Sequence, residues 1–251
     1  MRKIKYLLFT LIISGSLFFL FSPEVFPDNL QFNKFLNSNP QNDVIIIFNS
    51  GGWGNTPLEK AEDFTPIIEG IEKTLNEWGY NSIVVPYERT KDTFLGKITG
   101  IKGTVLSFPN QAETLSKEIE KFLRENPSKK IIMAGLSNGA AFVNETMGKL
   151  SKETKEAVFA IEIGTPFWEK TFNSENILLL NNKNKDPLVK GELKTLFFTF
   201  LKAPFKLISA KISGLNLTFS QALYMSGHQY SWIKVKPDVI SFLEKKLNSV
   251  K

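Results

Sequence analysis

The chain has 251 residues, 42% of them apolar, which is enough to fill the core of one α/β domain of ordinary size. Its net charge of +6 does not point to nucleic acid, because Arg2, Lys3 and Lys5 supply half of it and no acid lies in the first 22 residues. The absence of cysteine excludes disulfides, a cysteine nucleophile, thiolate metal sites and lipoprotein attachment.

The N-terminus reads separately from the rest. Three basic residues precede Tyr6 to Phe21, an uncharged and mostly apolar run, and residues 1–22 therefore read as a signal anchor or signal peptide. Cleavage after Ser14 or Ser16 would leave Leu17 to Phe21 as an apolar new terminus, so a retained anchor is favoured. The positive flank would then stay in the cytoplasm and the domain would lie outside it, membrane-anchored, or secreted if the segment is cut. Residues 23–43, polar and carrying Pro23, Pro27 and Pro40, read as a linker.

A domain is expected over 44–251. Val44 to Phe48 is a continuous apolar run of the buried parallel-strand kind, followed by a turn from Asn49 to Gly54. Thr65 as N-cap and Pro66 at the first position predict a helix carrying Ile67, Ile68, Ile71, Leu75 and Trp78 on one face and ending at Gly79. Ser82 to Tyr87 predicts a second strand, and the glycine-containing stretch Thr93 to Phe108 an irregular loop. A capping box of Asn110 and Glu113 predicts a helix to Asn126, and Lys130 to Ala134 a third strand. Ala140 to Leu150 is amphipathic, Ala157 to Ile163 and Ile177 to Leu180 are strand-like, and Asp238 to Asn248 closes the chain as a helix. Strands alternating with helices at these spacings imply a mostly parallel sheet with helices on both faces, an α/β fold. Ligands of such sheets bind beyond the carboxyl ends of the strands.

Chemistry gathers at that edge. Gly135-Leu136-Ser137-Asn138-Gly139 fits G-x-S-x-G between a strand and a helix, the setting of a nucleophile elbow, where small flanking residues let strand and helix pass closely. A serine hydroxyl attacks well only when a base takes its proton. His228, in the polar turn Ser226 to Tyr230, is the one imidazole of the chain and so the necessary base if this is a Ser-His enzyme. The base needs an acid to orient it. Asp186 follows the fifth strand through a polar turn, and Pro187 keeps a helix from starting at once. Glu162, inside a strand, and Glu192, at the start of a helix, are the rivals and match less well.

Ser137, Asp186 and His228, in that order on this sheet, resemble the α/β-hydrolase superfamily over roughly Val44 to Lys251. The resemblance implies a serine esterase or lipase-like hydrolase working through an acyl-enzyme, with no cofactor and no metal. It also implies an oxyanion hole made by the backbone N–H of Asn138 and one from the loop after Phe48, where Gly51, Gly52 and Trp53 are the candidates. The chain lacks the His-Gly that many members carry there, and the strand that usually precedes the histidine is represented only by Leu215 to Phe219.

Between acid and base lies an insert at about 190–220, in which Leu196, Phe197, Phe198, Phe200, Leu201, Phe205, Leu207 and Ile208 run with Lys194, Lys202, Lys206 and Lys211. Two readings stand level: a lid or membrane-contacting surface over an acyl substrate, or core-packing helices broken at Pro204. The partners implied are an acyl ester substrate, lipid esters included, and a membrane through the N-terminal helix. An acyltransferase with the same triad and a non-catalytic anchored binding module of the same fold are the competing functions.

Overall fold

The computed structural model describes residues 13–38, 41–106, 108–172, 174–217 and 219–248. Five strands, β1 (Val44–Asn49), β2 (Ser82–Pro86), β3 (Lys130–Leu136), β4 (Val158–Ile163) and β5 (Ile177–Leu180), form one parallel sheet in the order β2-β1-β3-β4-β5. All five lie where the apolar runs of the sequence predict them. Every residue of β1 and β4 is buried, as strands covered on both faces must be. Successive side chains of β1 enter two different cores. Val44, Ile46 and Phe48 meet α3 (Thr65–Glu77) and α11 (Trp232–Asn248), while Ile45 and Ile47 meet α5 (Pro109–Glu125) and α6 (Asn138–Lys149). Each buried Ile of this kind contributes about 1.5–3 kcal/mol through the apolar surface it removes from water. The result is an α/β sheet covered on both faces, and it fits the α/β-hydrolase resemblance.

Several local expectations give way to packing. Thr65 is the first helical residue of α3 rather than its cap, and its hydroxyl donates back to the carbonyls of Leu58 and Ala61. The Asn110/Glu113 capping box does not form: α5 starts at Pro109, and Glu113 instead takes a hydrogen bond from Lys117 at 2.6 Å. Thr93 to Phe108 is no loop but mostly helix, α4 (Phe94–Leu106). Its glycines are places of close approach, not breakers. A Cβ on Gly96 would lie 2.1 Å from the Lys91 carbonyl oxygen, one on Gly100 2.9 Å from the Trp53 ring, and one on Gly103 2.2 Å from the Phe108 ring.

Of the expected strand Leu215 to Phe219, the described residues Leu215 to Leu217 are irregular, and Phe219–Ala222 is a short helix, α10, of one turn like α7 (Lys152–Lys155). α11 begins at Trp232, earlier than expected, and runs through Pro237. The segment read as a linker, 23–43, is packed onto the domain through α2 (Leu30–Asn37), whose Phe32 and Leu36 are buried and whose Phe32 ring meets Tyr87 edge-on at 5.2 Å. The sequence concealed this because Asn and the flanking prolines around these apolar residues read as a linker.

Of the expected N-terminal hydrophobic helix, residues 1–12 lie outside the described residues, and α1 is described over 13–21. Its end is tied to α4: buried Lys102 donates to the carbonyls of Leu20 (3.2 Å) and Ser22 (2.6 Å), and Val25 N–H donates to Thr99 Oγ1. A cation on those terminal carbonyls complements the helix dipole. Among the described residues no helix is long and apolar enough to cross a membrane.

Candidate active site

β1 and β3 are neighbours although β2 comes between them in sequence, which makes the gap beyond their carboxyl ends the point where the strand order reverses. Ser137 follows β3 directly and is half-buried, with φ 53° and ψ −118°. That conformation is strained for a residue with a Cβ, and the surroundings enforce it. A Cβ on Gly135 would sit 2.4 Å from the Gly139 carbonyl oxygen, and one on Gly139 only 2.2 Å from that of Asn49. The expected need for small residues on both sides of the serine is thus a steric fact of this turn. Among the described residues, the Ser137 hydroxyl has no hydrogen-bond partner.

Asp186 and His228, 42 residues apart, come together with Nδ1 of the imidazole 2.7 Å from Oδ2. The carboxylate is fully buried and also accepts from the Tyr230 hydroxyl (2.6 Å) and the Leu188 N–H (2.9 Å). Burial alone would raise its pKa, but the bonds from His228, Tyr230 and Leu188 outweigh it and hold the carboxyl below its usual value. A carboxylate so held only accepts, so the proton of this pair sits on His228 Nδ1, which leaves Nε2 free to act as a base. Burial and the same carboxylate push the Tyr230 hydroxyl pKa strongly upward, so it remains a donor.

The end of β4 connects this pair to the serine. Ser137 N–H donates to the Ile163 carbonyl at 2.8 Å, and the next residue, Gly164 (φ 62°), lies under the imidazole. A Cβ at Gly164 would be 2.9 Å from His228 Cε1 and 3.0 Å from Asp186 Oδ2. The two loops bearing acid and base are also stitched together, through Asn182 Nδ2 to the Gly227 carbonyl at 2.8 Å. No hydrogen bond joins Ser137 directly to His228 among the described residues. The rivals for the acid are placed elsewhere: Glu192 pairs with Lys190 and Thr195, and Glu162 is buried in β4 with neither oxygen hydrogen-bonded. Burial pushes the Glu162 carboxyl up to about 8, Thr165 opposing the rise and Glu169 adding to it.

The Asn138 side chain bridges the elbow to the β1 loop and to α4, donating to the Gly52 carbonyl (3.2 Å) and Thr104 Oγ1 (3.0 Å). Among the described residues the backbone N–H groups of Asn138, Gly52 and Trp53 donate to no protein group, and that of Asn138 stands at the N-terminus of α6. Gly52 has φ 55° and Gly54 φ 78°, the left-handed conformations that make glycine necessary in this turn. The Trp53 ring packs on Gly100, and its carbonyl takes the Thr90 hydroxyl at 2.7 Å.

Under this loop lies Arg89, fully buried and unforeseen from sequence. Its guanidinium donates to the carbonyls of Asn138 (3.0 Å) and Ser50, with the Phe108 ring 4.8 Å and the Phe142 ring 5.8 Å away. Burial pushes it down to about 9, so it stays charged at neutral pH. Among the described residues no carboxylate pairs with it; two carbonyl dipoles and two aromatic faces carry the charge. Arg89 thereby joins the β1 loop to the elbow. Its position just past β2, at the same sheet edge as the other residues, was the available signal, and Tyr230, two residues after His228, had a similar one.

The chain is similar to a solved structure, Trichoderma reesei cutinase in complex with a C11Y4 phosphonate inhibitor, at 13% identity and a TM-score of 0.49, covering 82% of this chain and 77% of that one. Neither a family model nor a curated protein matches the sequence.

Proposed function

We propose that this protein is a serine hydrolase that cleaves carboxylic esters through an acyl-enzyme, with Ser137 as nucleophile, His228 as base and Asp186 as the acid that orients it. The observation that carries this reading is the Asp186–His228 pair over Gly164, one residue past the carbonyl that holds the strained Ser137. In the first half-reaction the Ser137 oxygen bonds to the ester carbonyl carbon while its proton passes to His228 Nε2. The tetrahedral oxyanion is held by the N–H of Asn138 and of Gly52 or Trp53, free donors beside the serine. Collapse breaks the bond to the alcohol oxygen, which leaves with the proton from His228. Water then repeats the sequence, releasing the carboxylic acid and regenerating the serine.

The N-terminal segment fits the same reading as a retained anchor that holds the catalytic domain outside the cytoplasm, against the membrane. The capping of α1 by Lys102 supports a segment that stays with the domain. Fractionation tests this part: a soluble product starting at Leu17 or later would mean cleavage. The catalytic part is tested by hydrolysis of short- and long-chain acyl esters and by labelling with a fluorophosphonate. The wild type should be labelled and Ser137→Ala should not; labelling that survives in the variant, or none in either, overturns the assignment.

A further inference from the structure

Helix α9 (Leu193–Ile212) is as apolar as a core helix and is not in the core. Of its 20 residues only Leu196 and Ala203 are buried among its apolar side chains. At about 100° per residue these two share one face. Phe197, Leu201, Phe205, Ile208 and Ile212 fall on a separate narrow arc, each between 52% and 82% exposed. Such a continuous outward apolar face is not what an isolated soluble surface carries. Lys202 and Lys206, one turn apart, flank that arc, and the whole stretch 193–237 contains six lysines and no aspartate or glutamate. The helix stands between the acid and the base: Asp186 caps the short helix α8 (Pro187–Lys190) that leads into it, and Lys206 donates to the Ala222 carbonyl of α10, just ahead of the His228 turn.

An apolar arc flanked by lysines, in a stretch without acids, is complementary to one kind of surface, acyl chains beneath anionic headgroups. We propose that α9 is a docking face that lies flat on an anionic lipid bilayer, with Phe197, Phe205 and Ile208 in the acyl boundary and the lysines at the headgroups. Exposed Phe167 and Trp168, edge to face at 5.1 Å just beyond Gly164, lie beside the turn that leads into α9, the Phe167 N–H donating to the Leu188 carbonyl of α8. This rests on the esterase reading only for its consequence, that the ester is drawn from the lipid surface itself; the binding does not require Ser137.

The test uses the full chain, which has no cysteine, carrying Phe205→Cys with an environment-sensitive fluorophore, in the Ser137→Ala background so that catalysis plays no part. Vesicles of phosphatidylglycerol should blue-shift the label and bring it within reach of quenchers in the acyl region, while the same label at Lys117→Cys on α5 stays in water. Reading the label at α9 separates this contact from any made by the N-terminal segment. Adding Lys194→Gln and Lys202→Gln should weaken partitioning about 30-fold. The proposal is overturned by an unshifted label, by equal insertion into phosphatidylcholine vesicles, or by a shift that needs no vesicles and grows with protein concentration, which would mark a second copy as the occupant. Insertion with no esterase activity in the wild type would leave the docking face standing and remove the hydrolase reading alone.

Discussion

Helices α6 and α9 sit on the same protein and use the apolar side chain in opposite ways. α6 emerges from the elbow with eight of its residues buried, and its glycine at 139 brings the helix backbone within reach of β1. α9 is richer in large apolar residues, yet it turns most of them outward. Hydrophobicity of a segment thus predicts burial only where a second surface is available to cover it. At the elbow the sheet supplies that surface; over the outward arc of α9 nothing among the described residues does.

The largest effect is expected at the serine. Ser137→Ala should reduce kcat/KM for ester hydrolysis by about 10^5-fold with the fold intact, since the nucleophile is lost and only binding and oxyanion donors remain. A loss of less than tenfold would mean that the tight elbow serves structure alone. Asp186→Asn keeps the shape but removes the charge that sets the His228 tautomer, and about a 10^4-fold fall in kcat is expected. Because that carboxyl is held low in the folded state, its contribution to stability is present above its unfolded value and disappears as pH falls through the folded one.

Packing comes next. Gly139→Ala places a Cβ 2.2 Å from the Asn49 carbonyl oxygen, which is backbone and cannot swing away. Urea melts should show a loss of about 3 kcal/mol, with m unchanged. Glu162 offers an effect of the same order with a pH signature. Its carboxyl is pushed up to about 8 from 4.5, so between those values the folded state keeps a proton that the unfolded state has released, and stability falls as pH rises. Glu162→Gln should flatten that slope and add on the order of 3 kcal/mol at pH 7. Equal slopes between pH 5 and 8 in both proteins would show that Glu162 does not hold the proton. Smallest of all is Phe205→Ser on α9, which should shift stability by no more than about 0.5 kcal/mol in vesicle-free buffer, because its ring is already 68% exposed. A loss like that of Gly139→Ala would show that α9 is packed after all.

Much of the sheet could be read in advance because a parallel strand buried on both faces is a near-continuous apolar run, and Val44 to Phe48 leaves little else to be. α4 escaped because Gly96, Gly100 and Gly103 look like breakers in one dimension; only the neighbouring Trp53 and Phe108 rings reveal why they are small. Helix α2 escaped because its apolar residues, Leu30, Phe32, Phe35 and Leu36, are interrupted by Gln, Asn and Lys in a stretch flanked by prolines. Arg89 escaped for the opposite reason: a lone arginine reads as surface until its carbonyl and aromatic partners are in place.

By itself the sequence determined the five strands, the turn that exposes Ser137, and the candidates for acid and base, since each depends on residues that are neighbours in the chain. The tertiary structure brought distant groups together. It set Asp186, and neither Glu162 nor Glu192, against His228, added Tyr230 as a further donor to the same carboxylate, and left most of α9 facing outward. Those outcomes depend on groups tens of residues apart meeting within 3 Å, or failing to meet at all, and chain closure around the sheet is what arranges such distances.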